Sequence, residues 1–430
     1  MYACCIWGRR FFPASSAMRL APSKRHAVAA AAVIVTGLML AGLVRLRSHA
    51  PVIKVVHESR DGGGGNGTCE DARPWASKWQ RPAHIRRVMG LLFYGRRSTV
   101  SILDCYLKRN LRKNGGVLDG VIMLERTQDP ADLALLDKLI ASEPDYVRAK
   151  VDPSKGFDGA YDQIEDDILY VKMDDDIVYI EDTALPAMVH TKATRPDLFV
   201  VAANVVNQPL ISWIHWNLGV VKPYLPELNG TPASHDGPVD WRASRLPSWE
   251  GPDDFSADEW ESQDRQKHRW LPRRAKTDHV LDNTPISKTT YDASGPGWFR
   301  WQVGAQEHYS LLEHLENNEM WRYRYHLWDF QYLRVGIQCI AIMGSDINAA
   351  KPISPDDEQH FAVTMPEKLG RHAVTDGRGV VAHFSFSAQS KEGAGMRTTD
   401  ILERYRAYAK EKACKGPMLW TPEEEEGRGP

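Results

Sequence analysis

Between residues 86 and 180, short continuous apolar runs alternate with segments of helical periodicity, and this alternation limits the folds open to the chain. Three of the apolar runs are VMGLLFY (88–94), ILYVKM (168–173) and IVYI (177–180). The segment after Ser98 has apolar residues at helical spacing, and Asp129-Pro130 opens another such segment. Continuous apolar strands separated by amphipathic helices are typical of a mostly parallel sheet with helices on both faces. We therefore predict an α/β fold.

Three adjacent carboxylates, Asp174, Asp175 and Asp176, separate the last two of these apolar runs. In parallel α/β sheets, ligands bind beyond the carboxyl ends of the strands, which is where this triplet is expected. Two carboxylates about 4 Å apart repel each other by on the order of 4 kcal/mol at an effective dielectric constant near 20. A bound Mn²⁺ or Mg²⁺, both of which accept carboxylate oxygens, relieves that repulsion. The alternative is a solvated acidic turn.

The amino-terminal region predicts a membrane anchor. No charged residue occurs from Ala27 to Val44, a stretch that is about 27 Å long as a helix. Basic residues are more frequent before it than after it, which favours a cytosolic N-terminus. A cleaved signal peptide and a buried Ala-rich helix are the alternatives. We expect a cytosolic tail over 1–26, a signal anchor over 27–44 and a flexible lumenal stem over 45–85.

Composition excludes several classes of protein. The chain has 430 residues, of which 43% are hydrophobic and 26% are charged, as in an ordinary globular protein. The net charge of −2 provides no field for a polyanion, which argues against nucleic-acid binding. Six cysteines are too few for a disulfide scaffold. In an oxidising lumen some of them could pair, with a connectivity that the sequence leaves open: Cys69, Cys105, Cys339 and Cys414.

Four phrases of the sequence carry a resemblance to a known family. They are LFYGRRSTVSILDCYLKRNL, YVKMDDDIVYIED, WDFQYLRVGIQ and GSDINAAKPI. The region 86–408 resembles GT-A-type glycosyltransferases with an Asp-x-Asp motif, and it is most similar to a group of fungal type II membrane proteins described as hypothetical sugar transferases. The resemblance implies a Rossmann-like sheet in a catalytic domain over 86–414. A long Trp- and Pro-rich insertion is expected over 230–296 and a disordered acidic tail over 415–430.

The same resemblance implies roles for the acidic triplet. Asp174 and Asp176 match the outer carboxylates of the motif and are expected to ligate the metal. Asp175 is expected to face the sugar or the ribose. GT-A enzymes often complete the metal's ligand set with a later histidine, which His383 in VVAHFSF matches. The alternative for His383 is a structural histidine among apolar neighbours.

The donor's diphosphate is expected near the end of the first strand. Arg96 and Arg97 follow Tyr94 and Gly95 there, and a guanidinium fork matches phosphate oxygens. We therefore assign donor binding to these four residues and to Asp175. Two exposed arginines in a turn are the alternative.

Candidates for the catalytic base come from a predicted helix start. Ser354-Pro355-Asp356-Asp357-Glu358 has Ser as a capping residue, Pro at the first helical position and acids in the first turn. If the reaction inverts the anomeric centre, Asp357 or Glu358 is expected to take the acceptor's proton, and Asp329 is a second candidate. The alternative is that acids at a helix N-terminus only stabilise the helix.

The sequence thus predicts a metal-dependent glycosyltransferase that moves a sugar from a nucleoside diphosphate sugar to a hydroxyl of a lumenal glycan, glycoprotein or glycolipid. The expected location is the Golgi or ER membrane, with a single-pass type II topology. One alternative is a cytosolic nucleotidyltransferase of the same fold, which the predicted anchor disfavours. The other is a non-catalytic lumenal carbohydrate-binding or scaffolding membrane protein.

Overall fold

The computed structural model describes residues 79–156, 158–228, 239–258, 260–261, 267–274, 281–390 and 395–422. The predicted cytosolic tail and signal anchor, nearly all of the stem, Cys69 and the end of the acidic tail lie outside these residues. Within them, no helix combines the length and the apolar character that crossing a membrane requires.

A large β-sheet occupies the centre of the described structure, and a two-stranded sheet lies apart from it. The strands are β1 (Arg87–Tyr94), β2 (Gly120–Glu125), β3 (Tyr146–Lys150), β4 (Ile168–Asp174), β5 (Ile177–Ile180), β6 (Val200–Val206), β7 (Tyr224–Pro226), β8 (Trp270–Pro272), β9 (Leu327–Asp329), β10 (Cys339–Met343) and β11 (Ala373–His383). The strand order of the large sheet is β3-β2-β1-β4-β10-β6-β11-β5, with β9 paired to β11, and β7 pairs with β8.

This sheet is mixed, so the predicted GT-A, Rossmann-like and mostly parallel sheet is wrong. Among the described strands, the parallel pairs are β1–β2, β1–β4, β2–β3 and β6–β11. An equal number of pairs are antiparallel: β4–β10, β6–β10, β5–β11 and β9–β11. A continuous apolar run such as CIAIM in β10 records burial on both faces and carries no information on strand direction. The helix predicted before the sheet, over 27–44, is outside the described residues.

Helices surround the sheet. They are α1 (Arg97–Asn110), α2 (Pro130–Ser142), α3 (Ala184–Thr194), α4 (Pro209–Asn217), α5 (Pro296–Phe299), α6 (Trp301–Glu316), α7 (Gly344–Ala349), α8 (357–369, with a π-helical turn at His360–Thr364) and α9 (Ile401–Lys412). Asp129 caps α2, because its carboxylate accepts the N–H groups of Ala131 and Asp132. The cap of α8 is Asp356 rather than the expected Ser354, and it accepts the N–H of Gln359 at 2.9 Å.

Helix α1 is joined covalently to the segment that follows α9. A disulfide links Cys105 in α1 to Cys414 just after α9, and Arg406 of α9 donates to the Ser98 carbonyl at 2.9 Å. Cys339, at the start of β10, is a buried free cysteine.

The tryptophans of the predicted insertion pack against the body. Trp241, Trp249 and Trp270 are buried, and Trp260 is half-buried. The indole N–H of Trp241 donates to Glu411 at 2.8 Å, and that of Trp249 donates to the Pro226 carbonyl at 3.0 Å. These contacts attach the described part of the insertion to the domain.

Candidate metal centre

The acidic triplet connects two strands at one edge of the sheet. Asp174 ends β4, and Asp175 and Asp176 lead into β5, whose Ile177 pairs with His383 at the end of β11. Two backbone hydrogen bonds fix the connection, one from the Asp174 N–H to the Gln338 carbonyl at 2.9 Å and one from the Phe384 N–H to the Asp176 carbonyl at 2.8 Å. The fold therefore places His383 beside the triplet, although it lies 207 positions after Asp176 in the sequence.

Asp174, Asp176 and His383 form a group that can hold a metal ion. One ligand atom from each residue lies within 4.8 Å of the ligand atoms of the other two. Metal–ligand bonds are about 2.0–2.6 Å long, so ligands on opposite sides of one ion are about 4–5 Å apart. Asp176 and His383 are each 3% exposed, and Asp174 is half-buried.

One carboxylate oxygen of Asp176 is buried and unsatisfied. Its Oδ1 is buried without a hydrogen-bond partner among the described residues, and it lies 3.3 Å from Nε2 of His383. Nδ1 of His383 faces the Asn207 carbonyl at 3.4 Å, so a proton on Nδ1 leaves the lone pair of Nε2 facing a carboxylate oxygen. Two acceptors in this position require a proton or a cation between them.

The pKa values of this pair reflect mutual stabilisation of charge. Burial lowers the pKa of His383, but the carboxylate of Asp176 outweighs that effect and raises the pKa above its ordinary value. Burial raises the pKa of Asp176, yet His383 and Arg96 outweigh it and hold the pKa below the ordinary value. The carboxylate of Asp176 therefore favours a proton on His383 in the metal-free protein, and a metal ion that binds Nε2 competes with that proton.

Arg96 holds the middle carboxylate. Its Nε lies 3.0 and 3.1 Å from the two oxygens of Asp175, and its Nη2 lies 3.1 Å from Oδ2 of Asp176. Burial raises the pKa of Asp175 to about 6, although Arg96 favours the charged form. Gly95 makes room for this pair, because a Cβ there would be 2.9 Å from Asp175 Oδ2.

Lys172 is a part of the site that the sequence analysis missed. This side chain is 4% exposed, and its ammonium group bonds to Asp174 and, at 3.0 Å, to the Ile337 carbonyl. Burial lowers the pKa of Lys172, but the charges of Asp174 and Asp357 outweigh it and raise the pKa. A single lysine within the apolar run ILYVKM was the available signal, since a buried lysine needs an anionic partner.

The predicted base candidates of α8 lie near the same charges. Asp357 accepts a hydrogen bond of 3.0 Å from the Tyr161 hydroxyl, and Arg334 donates to Glu358 at 2.9 Å. Burial raises the pKa of Glu358, and Arg334 opposes that shift. Both carboxylates interact electrostatically with Lys172, which connects them to the metal centre.

Three other predicted residues are directed away from the centre. Arg97 bonds to Asp132 at 2.8 Å, and the Tyr94 hydroxyl donates to the Asp132 carbonyl. Asp329 pairs with β11 near its first residue, whereas His383 is its last, so roughly 30 Å of strand separates them. The structure does not bring these three residues together with Asp174, Asp176 and His383.

A separate cleft of about 290 Å³ lies between β7, β8 and the end of α6. Its polar lining includes Lys222, Tyr224, Arg273, Glu313 and Glu316. Lys222 and Tyr224 both bond to Glu313 at 2.6 Å, so these groups satisfy one another. None of the three possible metal ligands lines this cleft.

Comparison with protein-family models gives no match, and no curated protein matches the sequence.

Proposed function

We propose that this protein is a metal-dependent glycosyltransferase that uses a nucleoside diphosphate sugar as donor and a hydroxyl of a glycan, glycoprotein or glycolipid as acceptor. The observation that carries the proposal is the buried pair of Asp176 Oδ1 and His383 Nε2, which lie 3.3 Å apart, because Oδ1 has no other polar partner among the described residues and a cation can take the place of the His383 proton. Asp174 completes a set of two carboxylates and one imidazole, a set that suits Mn²⁺ or Mg²⁺.

In this proposal Asp174, Asp176 and His383 hold the cation. When bound, the cation supplies charge neutralisation for the departing diphosphate. Arg96 supplies a second positive charge for the diphosphate, in addition to that of the cation. Its Nε and Nη2 are engaged by carboxylates, whereas Nη1 makes no hydrogen bond within the described residues and the side chain is 41% exposed. A guanidinium held on one edge and open on the other can donate hydrogen bonds to phosphate oxygens beside the metal centre.

For an inverting reaction we assign the base to Glu358, with Asp357 as the alternative. Burial raises the pKa of Glu358 above its ordinary value, which favours proton uptake. Arg334 donates to this carboxylate at 2.9 Å and restricts its orientation. Asp329 is not carried into the proposal, because it lies near the opposite end of β11.

We also propose a lumenal location, in the Golgi or the ER, with a single-pass type II membrane anchor. The uncharged run 27–44 supports the anchor. The disulfide between Cys105 and Cys414 supports an oxidising compartment, where such bonds form and persist.

A second candidate function is a non-catalytic carbohydrate-binding or scaffolding protein. The observation that favours it is that each carboxylate of the triplet already faces a cationic side chain. Lys172 contacts Asp174, and Arg96 contacts both Asp175 and Asp176. In such a protein these ion pairs balance the acidic triplet without a metal.

Isothermal titration of the full-length chain distinguishes the two functions. The titrants are Mn²⁺ alone and then UDP-glucose, UDP-galactose, UDP-N-acetylglucosamine and GDP-mannose, each with and without Mn²⁺. The transferase predicts Mn²⁺ binding and tighter binding of one donor when Mn²⁺ is present. Mn²⁺ binding without donor binding overturns the assignment of a nucleoside diphosphate sugar donor, and absence of both favours the second function. Failure to bind Mn²⁺ overturns the metal-dependent transferase.

A further inference from the structure

Asn207 lies next to His383, the histidine of the metal centre, at the end of the adjacent strand. It follows β6, which runs parallel to β11, and Val206 of β6 pairs with Ala382. Its φ of 64° lies in the left-handed region, which asparagine adopts more readily than most residues with a side chain. The residue is fully buried. A buried polar residue with this backbone conformation needs support from several neighbours.

The side chain of Asn207 binds the backbone on both sides of the His383–Phe384 peptide. Its Nδ2 donates to the His383 carbonyl at 3.3 Å and to the Phe384 carbonyl at 3.0 Å. Asn207 and the buried Gln389 also exchange two hydrogen bonds of 2.9 Å between their amide groups. The amide of Asn207 thus fixes the chain at the point where β11 ends.

Helix α6 supports Asn207 from the other side. The carboxylate of Glu307, which is 2% exposed, accepts the Asn207 N–H at 3.1 Å and the Ser212 hydroxyl at 2.8 Å. Gly304 leaves the space that the amide fills, because a Cβ at that position would be 2.7 Å from Asn207 Oδ1. The backbone N–H and both polar atoms of the Asn207 side chain are therefore hydrogen-bonded.

The backbone carbonyl of Asn207 acts on the imidazole itself. It faces Nδ1 of His383 at 3.4 Å, and the ring of Phe386 lies 4.7 Å from the His383 ring. A proton held on Nδ1 directs the lone pair of Nε2 toward Oδ1 of Asp176, where a divalent cation can bind both atoms. Histidine ligands in metal sites are commonly oriented by a hydrogen bond to the second ring nitrogen.

We propose that Asn207 is a positioning residue of the metal centre, which holds His383 with Nε2 toward Asp176. The inference rests on the proposed function, because it requires that Asp174, Asp176 and His383 bind a cation. Asn207 does not touch the cation in this proposal, and it acts through His383 alone.

The test is the Mn²⁺ affinity of an Asn207→Gly variant of the full-length chain. Glycine keeps the left-handed backbone and the carbonyl that faces Nδ1, so that only the amide is removed. We expect Mn²⁺ affinity to fall about 10-fold, at the low end of the range for outer-shell changes, because the amide fixes the backbone that carries His383 and not the ring itself. Circular dichroism establishes that the variant is folded. The matched control is Asn318→Gly, since Asn318 is exposed, has a φ of 57° and lies beyond α6.

The outcomes separate this inference from the proposed function. If the wild-type chain does not bind Mn²⁺, the metal-dependent transferase is overturned, and this inference with it. If the wild-type chain binds Mn²⁺ and folded Asn207→Gly binds it equally well, only the positioning role is overturned. A weaker affinity in Asn207→Gly with an unchanged affinity in Asn318→Gly supports the role.

A second measurement needs no Asn207 variant. Nitrogen NMR of ¹⁵N-histidine in the wild-type chain saturated with Mg²⁺ reports which ring nitrogen of His383 carries the proton, and the His383→Gln variant assigns the signal. We expect the proton on Nδ1. A proton on Nε2 overturns the positioning role, because Nε2 is then not a ligand.

Discussion

Two aspartate–histidine pairs lie near opposite ends of β11, and they differ in their burial and in the hydrogen bonds of their polar atoms. Near the start of the strand, Asp329 lies 2.8 Å from Nδ1 of His372, and the Tyr332 hydroxyl meets the other ring nitrogen at 3.0 Å. The side chains of Asp329 and His372 are 44% and 34% exposed. At the end of the strand, Asp176 and His383 are 3.3 Å apart, and both side chains are 4% exposed.

The comparison shows that residue type alone does not mark a site. The exposed pair has hydrogen bonds of 2.8 and 3.0 Å, a partner for each ring nitrogen and access to solvent. The buried pair has a longer contact and a carboxylate oxygen without a donor among the described residues. Burial makes that deficit costly, since an unsatisfied polar group in a protein interior costs about 1–3 kcal/mol. A proton on His383 or a bound cation removes the deficit, and the second possibility is why we propose a metal centre at the end of β11.

The largest expected effect comes from removing the charge of Asp176. Asp176→Asn keeps the shape of the side chain and removes the anionic ligand, so Mn²⁺ affinity should fall at least about 100-fold, and sugar transfer with it. Isothermal titration measures the affinity. Asp197→Asn changes an exposed aspartate paired with Arg195 and should leave the affinity unchanged. Equal Mn²⁺ affinity in Asp176→Asn and wild type would remove the distinction between the two histidine pairs.

The next-largest effect is expected from removing Arg96, whose guanidinium pairs with two carboxylates of the triplet. Arg96→Ala leaves Asp175 and Asp176 buried without their guanidinium, and we expect the free energy of unfolding to fall by about 2 kcal/mol. Urea unfolding of the metal-free protein measures this loss. The control is Arg195→Ala, which breaks an exposed pair with Asp197 and should cost less than about 1 kcal/mol. Similar losses in the two variants would mean that burial does not strengthen the Arg96 pairs.

A third test uses His308, a buried histidine that belongs to neither pair and lies against the backbone at the end of β11. Its ring bonds to the Tyr405 hydroxyl at 2.8 Å and to the Phe384 carbonyl at 3.1 Å, and burial lowers its pKa to about 3. The native state thus keeps His308 neutral, while the unfolded chain takes up a proton below about pH 6.5. This contribution to stability is complete above pH 6.5 and decreases as the pH falls toward 3.

The expected slope from His308 approaches about 1.4 kcal/mol per pH unit within that window. Urea unfolding of the wild type and of His308→Gln, at pH values between 4 and 7, measures it as a difference between the two curves. A constant difference across this range would mean that His308 is as easily protonated in the native protein as in the unfolded chain.

The smallest effect is expected at the exposed pair. His372→Ala removes the contacts with Asp329 and Tyr332, and solvent screening should limit the loss of stability to about 0.5–1 kcal/mol. Mn²⁺ affinity should be unchanged. A change in Mn²⁺ affinity would show that the two ends of β11 are coupled, contrary to our comparison.

Local patterns in the sequence predicted the strands around the site well. β1, β4 and β5 lie where continuous apolar runs were found, because buried strands exclude polar residues on both faces. The direction of β10 could not be predicted, since apolar periodicity is the same in both directions. The segment Glu319–Leu327, which looks like an aromatic helix, instead contains a short 3₁₀ turn at Met320–Tyr323 and the start of β9.

The site was predictable to the extent that it follows from short motifs. The triplet between two apolar runs indicated a metal site, the family resemblance predicted His383 as a further ligand, and the structure groups Asp174, Asp176 and His383 together. The partners of these residues depend on tertiary contacts, so the sequence could not reveal that Arg96 binds carboxylates while Arg97 turns to Asp132. Asn207 illustrates the same limit, because its hydrogen bonds join residues that are up to 182 positions apart.

The disulfide has a consequence for how the chain is made. Cys105 must wait for a partner that follows it by 309 residues, which at about 5–20 residues per second is roughly 15–60 s of translation. During that interval a nascent chain in an oxidising compartment carries an unprotected thiol. The disulfide between α1 and the segment after α9 can therefore close only after Cys414 has been synthesised and has entered that compartment, and a chain truncated before Cys414 lacks it.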